Sequence, residues 1–191
     1  MGIHGGDALM NKAVFLDRDG VLNLALVRGG KPYSPANLAE LQLAPGAAQA
    51  LSELKALGFK LLVVTNQPEV ARGNTTRAAV EEIHRAIAAE LPVDEIFVCY
   101  HTDGDGCECR KPKPGMLLEG ARKYNVDTRE SYMVGDRWRD IEAGQNAGCR
   151  TIFVDAGYED RNPAQPPDAQ VRSLREAVDW ILEECRKGVT R

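Results

Sequence analysis

The chain has 191 residues, enough for one domain with a full core and at most a small insertion. Charged residues make up 27% and the net charge is -4, which argues against general nucleic-acid binding, and no apolar run approaches the ~20 residues of a membrane helix. Five cysteines, an odd number, argue against a secreted disulfide framework and favour a reducing cytoplasm. Residues 1–10 are Gly-rich and polar with no apolar signal core; they read as a loose end, with Met10 a plausible start.

Val14-Phe15-Leu16 is an apolar run that reads as a buried strand and stops at Asp17-Arg18-Asp19-Gly20. In extended backbone, residues i and i+2 point the same way, so Asp17 and Asp19 face one small volume at the strand's carboxyl end, where open parallel sheets bind ligands. Two carboxylates so close repel unless they share a proton or a cation, and a hard ion such as Mg²⁺ suits them. Taken alone, the pair reads more simply as the end of a strand with a turn at Gly20. Residues 24–41 read as a long loop around Gly29-Gly30-Lys31-Pro32, in which Arg28 and Lys31 are candidates for an anionic substrate or are plain surface cations.

Pro45–Leu57 reads as a helix opened by proline and closed by Gly58. Lys60–Val64 is a second buried strand, ending at Thr65-Asn66-Gln67, where the Thr65 hydroxyl can hold a phosphate oxygen. Thr75–Leu91 is amphipathic, capped by Asn74 or Thr75, and its His84 is given no role. Glu95–Tyr100 makes a third strand. Cys99, His101, Cys107 and Cys109 then place three thiols and an imidazole within eleven positions, a set that fits a closed tetrahedral zinc site. With all four positions taken, such a site is structural rather than catalytic. Arg110 and Lys111 follow at once: Lys111 suits a phosphoryl oxygen, and Arg110 suits bidentate contact with a second phosphate.

Pro114–Tyr124 reads as a helix and Ser131–Gly135 as a fourth strand that ends in Asp136, a third carboxylate for the metal. Asp140 either supports that shell or caps the next helix, 141–147. Arg150–Val154 is a fifth strand, 162–167 a Pro-rich loop, and Ser173–Cys185 a closing helix with 187–191 as a frayed tail. Alternating strands and helices predict an α/β fold: a doubly wound, Rossmann-like parallel sheet with helices on both faces. The organisation expected is one domain over 11–186, with a zinc loop at 99–109 as its insertion.

The ordered set Asp17-x-Asp19-Gly20, Thr65, Lys111 and Gly135-Asp136-x-x-x-Asp140 resembles the four motifs of the haloacid dehalogenase-like phosphohydrolases, from Lys12 to about Val154. The Cys/His cluster followed by Arg110-Lys111-Pro112-x-Pro114-Gly115-Met116 is similar to the branch containing D-glycero-D-manno-heptose 1,7-bisphosphate 7-phosphatases and, in variant form, histidinol-phosphate phosphatases. The intervals leave no room for a large cap domain, as in those compact members, although the zinc loop is shorter than in some heptose enzymes. The resemblance implies Asp17 as nucleophile and Asp19 as general acid and base, with Thr65 and Lys111 holding phosphoryl oxygens. Asp17, Asp136 and the Asp19 backbone carbonyl would hold catalytic Mg²⁺, and the Cys/His set structural Zn²⁺. Asn66, Arg110 and Arg28 would contact substrate, a small phosphorylated sugar; Arg137 is a further possibility. No nucleic-acid or membrane partner is expected, and the chain is expected to act as a cytoplasmic monomer. Competing readings are a phosphatase for histidinol phosphate or another small monoester, a phosphotransferase, and a zinc-stabilised interaction module without catalysis, which the intact Asp17 and Asp19 disfavour.

Overall fold

The computed structural model describes residues 10–189. The segment expected to be a loose end, apart from Met10, and the last two residues lie outside the described residues. In chain order the elements are β1 (Ala13–Leu16), β2 (Leu26–Arg28), β3 (Lys31–Tyr33), α1 (Ala47–Ala56), β4 (Lys60–Asn66), α2 (Arg77–Glu90) and β5 (Glu95–Cys99). They continue with α3 (Gly115–Lys123), β6 (Tyr132–Gly135), α4 (Trp138–Ala147), β7 (Arg150–Val154), β8 (Ala169–Val171) and α5 (Leu174–Val189).

Six strands form one parallel sheet in the order β5-β4-β1-β6-β7-β8. The chain winds outward from β1 to β5, returns to the other side of β1, and winds outward again, so β1 sits at the reversal where such sheets open a crevice. Alternation along β1 shows how both faces are covered. Val14 and Leu16 join the core beneath α1, α2 and α5, whereas Ala13 and Phe15 join the core beneath α3 and α4. All four are fully buried, as expected for a central parallel strand.

Several boundaries differ from the sequence reading. The supposed loop 24–41 holds a small antiparallel hairpin, β2–β3, and a 3-10 turn at Leu38–Glu40. The α2 cap is Thr76, not Thr75 or Asn74; its side chain accepts from the Ala79 N–H. Helix α4 begins three residues earlier than expected, at Trp138, which brings Asp140 inside its first turn. The sixth strand, β8, lies between the Pro-rich loop and the closing helix, where the sequence reading placed no element, and α5 continues to Val189 rather than stopping at Cys185.

Candidate active site

Strand register gathers the predicted residues at one edge. Leu16 pairs with Val63 on one side and Val134 on the other, so Asp17 leaves β1 level with Val64 and Gly135, and Thr65 and Asp136 follow one residue later on β4 and after β6. Two glycines let the carboxylates approach. Gly20 has φ +86°, and a Cβ there would stand 2.0 Å from Asp136 Oδ2; a Cβ on Gly135 would stand 2.1 Å from Asp140 Cβ. Asp17, Asp136 and Asp140 line a cleft of about 290 Å³ with Asp19, Asn66, Arg110, Lys111, Arg137, Arg139 and, from the open end of the β2–β3 hairpin, Ala25, Pro32, Tyr33 and Ser34.

Lys111 is the hub. Its buried ammonium lies 2.8 Å from Asp17 Oδ1 and 2.6 Å from Asp140 Oδ1, and donates to the Val64 carbonyl at 2.7 Å. Burial alone would favour its neutral form, but Asp140 and Asp17 overcome that and raise its pKa. Asp140 does both jobs offered by the sequence: it pairs with Lys111, and its Oδ2 accepts from the Arg137 N–H to close the start of α4. One lysine does not balance three carboxylates. Burial, then the charge of Asp140, push Asp17 up to about 6 despite Lys111. Burial, then Asp17 and Asp140, raise Asp136 well above the carboxylate range, and its buried Oδ1 lacks a hydrogen-bond partner among the described residues. Ligand oxygens of Asp17, Asp136 and Asp140 lie within 4.8 Å of one another, an arrangement that can hold a hard cation.

Asp19 is built differently. Its side chain is not in that cluster but is saturated by donors: Arg18 (two bonds of 3.0 Å), Asn23 (3.0 Å), Ser34 (2.8 Å) and Gln67 (2.8 Å). Burial would raise its pKa, but Arg18 and these hydrogen bonds outweigh burial and hold it below the usual range. Arg18 is itself completely buried, with Nη1 3.0 Å from His84 Nε2 on α2. Burial and then Arg18 depress His84 to about 4, so the ring is a neutral acceptor near neutral pH. Sequence reasoning missed this support. Arg18 stood in plain view between the two aspartates, but nothing local links it to a histidine 66 positions away.

The remaining predicted residues divide. Asn66 clamps the Lys111 backbone, giving a bond to its carbonyl and accepting one from its N–H, each 3.1 Å. Thr65 is buried, its hydroxyl accepts from Gln67 at 2.9 Å, and it is absent from the cleft lining. Arg110 lines the cleft, held by Asp103 (2.8 Å) and the His101 carbonyl (3.1 Å). Arg28 does not line it; it sits on exposed β2, its guanidinium 5.8 Å from the Tyr33 ring centre. The four Cys/His ligand atoms converge, with Cys99, Cys107, Cys109 and His101 Nδ1 separated by 3.1–3.7 Å in the five close pairs. A tetrahedral zinc with sulfur bonds near 2.3 Å requires sulfur separations of about 3.8 Å, so the set fits that ion.

The model of the haloacid dehalogenase-like hydrolase family matches residues 25–148. The chain belongs to this family. A D-glycero-beta-D-manno-heptose-1,7-bisphosphate 7-phosphatase of Bordetella bronchiseptica is 40% identical over 186 residues, covering 91% of this chain and 99% of that protein. One of Helicobacter pylori is 33% identical over 179 residues, covering 90% and 97%. Among solved structures, the D,D-heptose 1,7-bisphosphate phosphatase of B. bronchiseptica, complexed with magnesium and phosphate, superposes with a TM-score of 0.77 at 34% identity, covering 91% of this chain and 99% of that one.

Proposed function

We propose that this protein is a Mg²⁺-dependent phosphomonoester hydrolase that removes the 7-phosphate of D-glycero-β-D-manno-heptose 1,7-bisphosphate in nucleotide-heptose biosynthesis. The observation that carries the chemistry is the pairing of two unlike aspartates. Asp17 shares a crowded, cation-seeking cluster with Asp136 and Lys111, while Asp19 is oriented by four side-chain donors. The substrate rests on the relatives' names and on an arginine-lined cleft able to meet a second phosphate.

Asp17 Oδ2 attacks phosphorus while Lys111 holds Oδ1, and the sugar oxygen leaves, giving an aspartyl-phosphate. Asp19, held ionised in the free enzyme, would first take up a proton from solvent as substrate binds, give it to that oxygen, and then take one from the water that cleaves the intermediate. Its donors must loosen as it protonates, and of the four only Ser34 lines the cleft. The carboxylates of Asp17 and Asp136, with the Asp19 carbonyl, would hold Mg²⁺, which offsets the repulsion between carboxylate and phosphate. Asp140 is assigned to holding Lys111 rather than the metal, since both its oxygens are already engaged. Thr65 and Lys111 would meet phosphoryl oxygens, Thr65 after its hydroxyl turns from Gln67. Asn66 sets the Lys111 backbone, and Arg110 takes the distal phosphate. Arg28 would reach substrate only if the hairpin folds inward.

Cys99, His101, Cys107 and Cys109 would hold Zn²⁺ and so fix the direction of Arg110 and Lys111. We read the chain as one catalytic domain acting as a monomer in the cytoplasm, with none of its five cysteines in a disulfide. No helix among the described residues is long and apolar enough to cross a membrane. The test is phosphate release with Mg²⁺ from both anomers of heptose 1,7-bisphosphate beside histidinol phosphate. Preference for the β-anomer is expected; preference for histidinol phosphate would overturn the substrate.

A further inference from the structure

The cleft mouth contains a charge arrangement that the phosphoryl chemistry does not use. Arg72 and Arg137 each have their own carboxylate, Glu69 and Asp160. Arg110 and Arg139 instead converge on one carboxylate, Asp103. Arg110 Nε is 2.8 Å from Oδ1, and Arg139 Nη1 and Nη2 are 3.1 and 3.3 Å from Oδ1 and Oδ2. Two guanidiniums against one carboxylate leave a positive charge unmatched. All three residues line the cleft.

The two arginines are anchored well and Asp103 is not. Arg110 is buried, fixed by the His101 carbonyl, and precedes Lys111 directly. Arg139 comes from the first turn of α4, three residues after Asp136, and its guanidinium stacks 4.4 Å from the Trp138 ring centre. Asp103 lies on a short 3-10 turn with a side chain 57% exposed, so it can swing into water while the arginines stay. We propose that Arg139 acts with Arg110 as a two-pronged clamp for the distal phosphate of a bisphosphorylated sugar, and that Asp103 is a placeholder holding the prongs together until that phosphate arrives. A dianion matches the fork geometry of two guanidiniums better than one carboxylate does, and it restores neutrality. Because the prongs sit one residue before Lys111 and three after Asp136, the fold sets the span between the two phosphates. The clamp rests on the sugar-bisphosphate reading above.

The experiment compares kcat/KM for heptose 1,7-bisphosphate with that for p-nitrophenyl phosphate, which has no second phosphate, in wild type, Arg139→Ala and Arg139→Lys. Arg139→Ala is expected to reduce the bisphosphate-over-monophosphate preference about 10- to 100-fold, mostly through KM, the range of a lost charge-assisted contact. Arg139→Lys should keep part of it. Asp103→Asn should lower KM for the bisphosphate, by about threefold, because the competing charge is gone. A wild-type preference that survives intact in Arg139→Ala overturns the clamp alone. No preference in wild type overturns the sugar-bisphosphate reading and the clamp with it. A bisphosphate KM raised by Asp103→Asn as far as by Arg139→Ala overturns the placeholder.

Discussion

The carboxylate cleft and the Cys/His cluster stand at the same sheet edge and are joined through Arg110 and Lys111, yet they are built on opposite plans. The cleft draws its groups from the ends of β1, β4 and β6 and buries them in mutual conflict: one lysine pairs with two of three clustered carboxylates, and two of the three are pushed toward protonation. The Cys/His cluster draws all its ligands from a single segment of eleven residues that crosses from the end of β5 into a turn. Only Cys99 is fully buried, and the ligand atoms already sit near the spacing of a tetrahedral ion. One region is held by the global fold and stressed by its own charge; the other is local, and a metal bound there would serve chiefly to keep its shape. Gln67 ties them, since its side chain bonds Asp19 while its backbone N–H bonds the Cys99 carbonyl at 2.7 Å.

The largest effect should come from forcing the cleft apart. Gly20→Ala puts a methyl into Asp136 and asks alanine to adopt positive φ. A displacement of about 1 Å at the reacting groups costs roughly 100-fold in rate, so kcat/KM should fall at least that far, with weakened Mg²⁺ dependence. A variant of near wild-type activity would mean that Asp136 is not held where the structure puts it.

Breaking the local region should do less. Removing zinc, or replacing Cys109 by Ser, should loosen residues 99–111 and raise KM by about tenfold, with a smaller change in kcat, as expected for a shell that orients other groups. Metal analysis showing no zinc in fully active protein would remove this half of the comparison.

This contrast also explains what could be read in advance. Ligands within eleven positions, and aspartates one residue apart, carry their geometry in their spacing. The five long-run strands and the five helices were legible for the same reason: their apolar periods are local. Strand β8 was not, because Ala169-Gln170-Val171 is short and follows a Pro-rich stretch. The β2–β3 hairpin was not, because its strands are three residues each and mostly exposed. Arg18–His84, Ser34–Asp19 and Asp140–Lys111 are pairings across elements, and nothing in spacing reveals which buried cation meets which partner. The expected loop cation Arg28 failed to reach the cleft because the hairpin turns it outward.

A smaller effect follows from the raised carboxylates. Asp17 moves from 3.8 to about 6 on folding, so the metal-free native state binds the extra proton between those values. The stability this confers is present at low pH and lost as pH rises through about 6. Metal-free wild type should therefore lose more Tm than Asp17→Asn between about pH 4 and pH 6, and Mg²⁺ should restore it at the upper end. Equal pH slopes in the two proteins would contradict the charge conflict assigned to the cleft.

The most direct measurement is an acid-quenched single turnover on heptose 1,7-bisphosphate with Mg²⁺, followed by peptide mass mapping, wild type beside Asp17→Asn. A phosphoryl group on Asp17 during wild-type turnover, with neither phosphoryl group nor phosphate release in Asp17→Asn, is the predicted result. Phosphate release by Asp17→Asn at the wild-type rate, or a phosphoryl group on another residue, would contradict the account.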